Sequence, residues 1–146
     1  MALAPAAACE IAGIDVTSRS AASRARGVAR AMRHIEAHLC EPISAGELAA
    51  VACMSRFHFA RVFRALVGIS PMDYLRRRRI ARAQALLREG RHSISQIACD
   101  LCFFDQSHFV RSFRHATGCT PARFAAQAGH APTGNPVFLP LQERHP

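Results

Sequence analysis

The sequence lacks the local signatures that mark most membrane proteins and many enzymes. No apolar run approaches the ~18 residues that a membrane-spanning helix requires. A glycine-rich phosphate loop, a pair of candidate catalytic carboxylates and a G-x-S-x-G nucleophile motif are also missing. The opening MALAPAAAC has neither the basic leader nor the long apolar segment of an export signal. We therefore expect a cytoplasmic protein that is not an enzyme and has no membrane partner.

Lysine is absent as well, so all 19 basic residues other than histidine are arginine. Against 10 acidic residues they give a formal net charge of +9, which favours a polyanionic partner. By charge alone, nucleic acid and an anionic membrane surface both fit, and so does a basic protein without such a partner. The six cysteines, without an export signal, are expected to be reduced thiols rather than a disulfide framework.

One sequence element occurs twice in the chain. HFARVFRALVGISPMDYL occupies residues 58–75, and HFVRSFRHATGCTPARF begins 50 residues later. The repeated positions hold one histidine, two phenylalanines, two arginines, one glycine and one proline; they are His58, Phe59, Arg61, Phe63, Arg64, Gly68 and Pro71, and then His108, Phe109, Arg111, Phe113, Arg114, Gly118 and Pro121. Matching positions of the two copies lie 49 residues apart before this element, as at Ser44 and Ser93, and 50 residues apart within it. The turn that precedes the second copy is therefore one residue longer than the turn that precedes the first.

Capping signals and apolar periodicity predict where the helices lie. A first helix begins at Val28 and ends near Glu41. The pairs Ser44/Glu47 and Ser93/Gln96 have capping-box spacing, and Ser55 and Asp105 can each cap the helix that follows. The predicted inward positions of these two following helices are Phe59, Val62, Phe63 and Leu66 in the first copy, and Phe109, Phe113 and Ala116 in the second.

These elements predict an all-α protein in which two helix-turn-helix subdomains are joined by a long linker helix. An uninterrupted helix over residues 71–88 would be a rigid spacer of about 27 Å. The predicted segments are a flexible leader (1–26), the first subdomain (27–69), the linker helix (70–90), the second subdomain (91–129) and a disordered, proline-containing tail (130–146).

The outward positions of the two second helices carry residues that can read DNA bases. Such a helix commonly enters the major groove, where arginine suits guanine and glutamine suits adenine. Phe57 lies off the apolar stripe, so a core position and an exposed position near a thymine methyl are both open for it. The candidate base-reading residues are Phe57, Arg61, Gln106, Ser107, His108 and Arg111. Because the two surfaces differ, a monomer could read an asymmetric site in successive major grooves about 34 Å apart.

Arginines and helix starts supply the candidate phosphate contacts. Residues 76–79 are four successive arginines, which sweep about 300° around a helix. We therefore expect one or two of them to contact DNA or to pair with Asp73. Helix starts would add free backbone amides for phosphates. The candidates for the DNA backbone are Ser44, Arg56, Arg64, Arg76, Ser93 and Arg114.

Over about residues 28–126, the duplicated motif, the linker PMDYLRRRRIARAQALL and the second motif IACDLCFFDQSHFVRSFRHATGCTP resemble the DNA-binding domain of AraC/XylS transcription regulators. The resemblance implies a bacterial, nucleoid-associated domain of seven helices without a cofactor or a metal. Its implied partners are double-stranded promoter DNA and RNA polymerase, with activation as the usual result. The layout is similar to the stand-alone members of the family, and a fragment of a longer regulator is the other interpretation.

Three positions depart from the family's pattern. Ala60 stands where some relatives place a polar base contact, so a hydrogen bond is lost there. Cys102 stands where glycine is usual in the second turn. Ala125 replaces a frequent basic residue of the last helix.

Two other functions remain open from the residues alone. Cys99 and Cys102 form a C-x-x-C near His92 and His108, which would suit a thiol- or metal-responsive sensor, although a structural zinc needs four ligands and no second C-x-x-C exists. A basic RNA-binding or interaction module would depend on the arginine run and the tail rather than on the paired helices.

Overall fold

The computed structural model describes the backbone of residues 7–129 and the side chains of residues 16–129. This part of the chain is all-α, with seven helices and no strand, as the sequence predicted. The helices are α1 (Ala7–Ala37), α2 (Ala45–Val51), α3 (Arg56–Val67), α4 (Pro71–Glu89), α5 (Ile94–Asp100), α6 (Gln106–Thr117) and α7 (Pro121–Gln127). The predicted tail over residues 130–146 lies outside the described residues.

Helix α1 differs from the prediction at both ends. It begins at Ala7, so residues 7–26, which were predicted to form a flexible leader, are helical. Alanine and arginine have high helix propensity, and this segment is rich in both. Residues 16–23 are exposed, so this part of the helix needs no apolar residues at helical spacing and the sequence pattern does not reveal it. The helix ends at Ala37 rather than near Glu41.

The chain divides after Arg78 into two compact units, each with its own hydrophobic core. In the N-terminal unit, α1, α2, α3 and the start of α4 enclose buried side chains, of which Ile35, Leu48, Phe59, Phe63 and Leu75 are at most 1% exposed. Burying each such side chain contributes about 1.5–3 kcal/mol.

The C-terminal unit has a core that is richer in aromatic rings. Phe109 and Phe113 of α6 are fully buried, and the Phe113 ring meets the Phe124 ring of α7 edge to face at 5.5 Å. Helix α4 contributes Ile80 and Ala83 to this core as well as Leu75 to the other one. The predicted linker helix is therefore also part of both cores, which fixes its rotation about its own axis in each unit.

Polar side chains cap the starts of the helices at the predicted positions, but one predicted capping box is incomplete. The full capping box forms at Ser93 and Gln96, each side chain bonding the other's backbone amide. At Ser44 only half of the box forms, since Ser44 Oγ accepts from the Glu47 amide at 3.1 Å. The Glu47 carboxylate instead contacts His34 Nε2 at 2.8 Å, because α1 lies within its reach. The helix start predicted at Ser44 is therefore confirmed, whereas the capping box there is only half formed.

The two turns that precede α3 and α6 share an uncommon backbone conformation. Cys53 and Cys102 have φ values of 57° and 55°, the left-handed region that glycine adopts without strain. The first turn covers residues 52–55 and the second covers residues 101–105, so the second is one residue longer, as predicted. Cys102 therefore takes the conformation that explains why a glycine is usual at its position.

Replacing Cys53 with glycine is expected to stabilise the protein by about 0.5–1 kcal/mol, because it removes the strain of a left-handed residue with a Cβ atom. The Cys53 side chain is exposed, so little packing is lost. Urea denaturation under reducing conditions measures the change. The matched control is Cys53→Ala, which keeps the Cβ atom and should show no gain; equal stabilities for the two variants would contradict the strain argument.

Candidate nucleic-acid interface

Helix α3 buries one side and exposes the other. Phe59, Val62 and Phe63 are buried as predicted, whereas Leu66 is 56% exposed. The inward assignment of Leu66 was wrong, because the last turn of α3 extends past the core and Val67 packs against it instead. Ser55 caps the start of the helix and Gly68 ends it in the left-handed conformation, both as predicted.

The exposed side of α3 holds the candidate base-reading residues of the N-terminal unit. Phe57 is 87% exposed, which decides between the core and exposed positions that the sequence left open. Arg61 is exposed and lies one helical turn after Phe57, so the two side chains share a side of the helix. Arg56 and Arg64 are also exposed, whereas His58 is half-buried. The exposed side therefore combines one aromatic ring with three guanidinium groups.

Helix α6 repeats this arrangement with different residues. Asp105 caps it by accepting from the His108 amide, and Gly118 ends it. Gln106, Ser107 and Arg111 are exposed. Ala116 is exposed too, so its inward assignment was wrong.

His108 lies differently from the other base-reading candidates. Its ring is half-buried and meets the Phe103 ring edge to face at 5.7 Å, and its Nδ1 atom is buried without a hydrogen-bond partner. Because the ring packs against Phe103, part of its surface is used within the C-terminal unit. The imidazole is thus held in place beside the exposed Ser107 and Gln106.

Sequence reasoning missed two residues that belong to this surface or support it. Phe104, just before the Asp105 cap, is 92% exposed. It lies in the second turn, whose extra residue was the only feature of the sequence that set this turn apart from the first. Arg30 donates from Nε to the Val51 carbonyl at 3.1 Å and from Nη2 to the Ala52 carbonyl at 3.2 Å. It therefore caps the carboxyl end of α2, and no local pattern signals this contact across 21 residues.

The arginine run of α4 is partly engaged within the protein. Arg76 Nη1 donates to Asp73 Oδ1 at 2.7 Å, and Arg78 pairs with Glu36 of α1 through two hydrogen bonds, with Nη2 at 2.9 Å from Oε2. The Ser70 hydroxyl and Arg76 hold the pKa of Asp73 below its ordinary value, so this carboxylate stays ionised beside Arg76. The positive charge of Arg76 is therefore partly neutralised, while Arg77 is exposed.

The helix starts supply fewer free groups for phosphate than expected. The hydroxyls of Ser44 and Ser93 both accept backbone hydrogen bonds at 3.1 Å. The Ser93 amide donates to Gln96 Oε1 at 2.9 Å, so this donor is occupied and is not the free amide that was expected. The exposed guanidinium groups of Arg56, Arg64 and Arg114 are the better phosphate candidates.

The cysteines and histidines do not cluster within the described chain. Cys40, Cys53, Cys99, Cys102 and Cys119 are free thiols. Among residues 16–129 no three histidine, cysteine or acidic side chains are arranged to hold a metal ion. Of the seven helices, none combines the length and the apolar character needed to cross a membrane.

Known proteins resemble this chain over the region that contains both copies of the motif. A family model described as a helix-turn-helix domain matches residues 48–127. The probable transcriptional regulator LumQ of Photobacterium leiognathi is 38% identical over 92 residues, which cover 62% of this chain and 37% of LumQ. This chain thus spans little more than a third of that relative.

Two solved structures match most of the described residues. A transcriptional regulator with an AraC-type DNA-binding domain from Chromobacterium violaceum is 30% identical with a TM-score of 0.68, covering 73% of this chain and 96% of that one. The DNA-binding domain of the global transcriptional factor AdpA, solved in complex with a target DNA, is 35% identical with a TM-score of 0.62 and coverages of 71% and 90%.

Proposed function

Because the chain belongs to the AraC/XylS family of transcription regulators, we propose that it binds double-stranded promoter DNA in a sequence-specific manner. The observation that carries the proposal is the pair of capped helices α3 and α6, each exposing an arginine at the same position of the motif. These residues are Arg61 and Arg111, 50 positions apart and both exposed. Each of these helices follows a turn that holds one residue in the left-handed conformation.

The exposed residues suit base edges of different kinds. Arg61 and Arg111 can each form two hydrogen bonds to the O6 and N7 atoms of guanine, and Gln106 can pair with adenine in the same way. Phe57 offers its ring to a thymine methyl group, and Ser107 holds the corresponding position of α6. Since these two residues differ so much in size and polarity, the two helices would prefer unlike sequences.

We also propose that a single copy of the protein inserts α3 and α6 into successive major grooves. At 1.5 Å per residue the 19 residues of α4 make a helix of about 28 Å, and successive major grooves on one side of B-DNA recur about every 34 Å. A linker helix of this length suits such a spacing. A single chain would then recognise an asymmetric site without a second copy.

Arginine contacts to phosphate would supply a large share of the affinity. Arg56, Arg64 and Arg114 are exposed on or beside the recognition helices, and Arg76 would contribute less because it pairs with Asp73. Each neutralised phosphate releases counterions, so the logarithm of the affinity falls with the logarithm of salt concentration by about 0.9 per contact. Binding should therefore weaken steeply as salt rises.

We further propose that the protein activates transcription by contacting RNA polymerase. This step rests on the resemblance to AraC/XylS regulators. The check is transcription in vitro with a bacterial RNA polymerase and a template carrying the selected site upstream of a weak promoter. More transcript on adding the protein supports activation. Less transcript would make the protein a repressor, with the DNA-binding proposal intact.

Selection from a randomised duplex library at physiological salt tests the DNA-binding proposal. The wild-type protein should enrich two unlike boxes about one DNA turn apart. Arg61→Ala should relax one box and Arg111→Ala the other, each by about 1–3 kcal/mol of discrimination. Arg82→Ala, an exposed arginine of α4, is the matched control and should leave both boxes unchanged.

The other outcomes separate the parts of the proposal. An enriched palindrome would mean that two copies bind and would remove the monomer. No enrichment, with binding lost uniformly as salt rises, would contradict sequence-specific recognition altogether. Tighter binding to single-stranded or duplex RNA of the same length would favour an RNA-binding module instead.

A further inference from the structure

Helix α1 carries a concentration of positive charge that is not needed for packing either hydrophobic core. Between residues 16 and 35 there are five arginines and no acidic residue. Residues 16–23 are exposed, so this part of α1 adds little to the hydrophobic core. Its arginines are Arg19, Arg24, Arg26, Arg30 and Arg33.

Four of these arginines lie on one side of the helix. At 100° per residue, Arg19, Arg26, Arg30 and Arg33 fall within a sector of about 60°. We call this sector the arginine stripe. Arg26 and Arg33 are exposed, while the side that packs into the core carries Val28, Ala31 and Ile35. The stripe is therefore separate from the buried side of α1.

The arginine stripe borders the first helix-turn-helix motif. Arg30 caps the carboxyl end of α2, and His34 contacts Glu47 near its start, so α1 and α2 run side by side in opposite directions. Beside Arg26, the backbone at Gly27 is so close to the turn that an added Cβ atom would lie 2.7 Å from the Ala52 carbonyl oxygen. The stripe thus follows α2 and reaches the turn that leads into α3.

This position favours DNA as the occupant. In a helix-turn-helix motif the first helix crosses the phosphate backbone while the second enters the groove. Arginines beside that first helix and its turn would meet the backbone just outside the bases that α3 reads. Between residues 16 and 35 the helix has no acidic residue, and a polyphosphate strand is the complementary partner of its arginines.

We propose that Arg26 and Arg33, continued by Arg19 at the start of the stripe, bind the phosphates that flank the box read by α3. The inference rests on the proposed function and adds a contact surface to it. It lengthens the bound site on one side only, because it arises from α1. Arg30 keeps its structural role as the cap of α2.

The test compares the intact chain with the double variant Arg26→Gln/Arg33→Gln on two duplexes that share the selected site. The long duplex extends about 10 bp beyond the α3 box, roughly one helical turn, and the short duplex ends at that box. The α3 box is the one that Arg61→Ala relaxes. The matched control is Arg82→Gln/Arg91→Gln, which removes two exposed arginines elsewhere and changes the net charge equally.

On the long duplex the double variant should lose about 1.8 from the slope of log affinity against log salt, and roughly tenfold in affinity near 0.1 M salt. On the short duplex it should bind like the wild type. The control variant should keep the wild-type slope on both duplexes. Circular dichroism melting checks that all variants fold equally, since every substituted side chain is exposed.

Three results would overturn the inference. These are an unchanged slope on the long duplex, an equal loss in the control variant, and an equal loss on the short duplex, which would put the contacts inside the box. A preference of the wild type for the selected site over a scrambled one is measured in the same titrations and tests the proposed function separately. If that preference holds while the slope is unchanged, only the arginine stripe is refuted.

Discussion

Replacing Phe113 with alanine is expected to lower the free energy of unfolding of the C-terminal unit by about 3–5 kcal/mol. Phe113 is fully buried, and its ring meets the rings of Phe109 at 5.7 Å and Phe124 at 5.5 Å. The substitution removes both edge contacts and leaves a cavity in the core of the C-terminal unit. Because small domains are stable by only about 5–15 kcal/mol, such a loss would leave this unit marginal.

Amide hydrogen exchange resolves the effect by unit. Protection in α5, α6 and α7 should fall by the full amount, whereas protection in α2 and α3 should stay near the wild-type value, because the buried residues of the two cores are different sets. His115→Ala, an exposed change two positions away, is the control and should alter neither. An equal loss of protection in both units would show that they unfold as one cooperative body and would contradict the prediction.

Replacing Gly27 with valine is expected to destabilise the N-terminal unit by about 1–3 kcal/mol, the cost typical of overpacking. Even a Cβ atom would lie 2.7 Å from the Ala52 carbonyl oxygen and 2.9 Å from Met54 Cε. The methionine can move, but the carbonyl is backbone of the turn before α3, so α1 must shift away from it. Such a shift also pulls Arg30 from the carbonyls that it caps.

Urea denaturation measures this loss, and Gly46→Ala is the matched control. A Cβ atom on Gly46 would lie 3.7 Å from Arg56 Cδ, an ordinary contact, and alanine is favoured over glycine within a helix. The control should therefore stabilise the protein by about 0.5–1 kcal/mol. If Gly27→Val were as stable as the wild type, the close approach of α1 to the turn would not be a constraint. In binding assays, Gly27→Val should weaken discrimination at the box read by α3 and spare the other box.

Much of the fold could be predicted because its determinants lie within a few residues of each other. Ser55 and Asp105 cap helices through hydrogen bonds to amides three residues away, and Gly68 and Gly118 end them through their own backbone conformation. The helical character of residues 7–26 was not predicted, because this part of α1 has propensity without an apolar stripe. The apolar pattern also predicted that α3 and α6 contact their cores as far as Leu66 and Ala116, but both side chains are exposed.

The sequence predicted which residues belong to the candidate site, but not which of their side chains are exposed and which pack against neighbours. Phe57 could be placed only when the structure showed a ring 87% exposed. His108 has the same sequence signal as its neighbours, yet its ring packs against Phe103. These differences depend on which neighbour covers a side chain, and periodicity along one helix contains no information about that.

By itself the sequence determined helices α2 to α6 near their observed places, the duplication of the motif and the longer second turn, because caps, turn conformations and helical periodicity act over short separations. The tertiary structure alone decided the partners of charged residues that lie far apart in the chain. Glu47 contacts His34 instead of closing a capping box, Arg30 caps α2 across 21 residues, and Arg78 reaches Glu36 across 42. An arginine in a sequence has the same charge in each of these settings, and only the packing of the helices determines which carbonyl, carboxylate or phosphate comes within its reach.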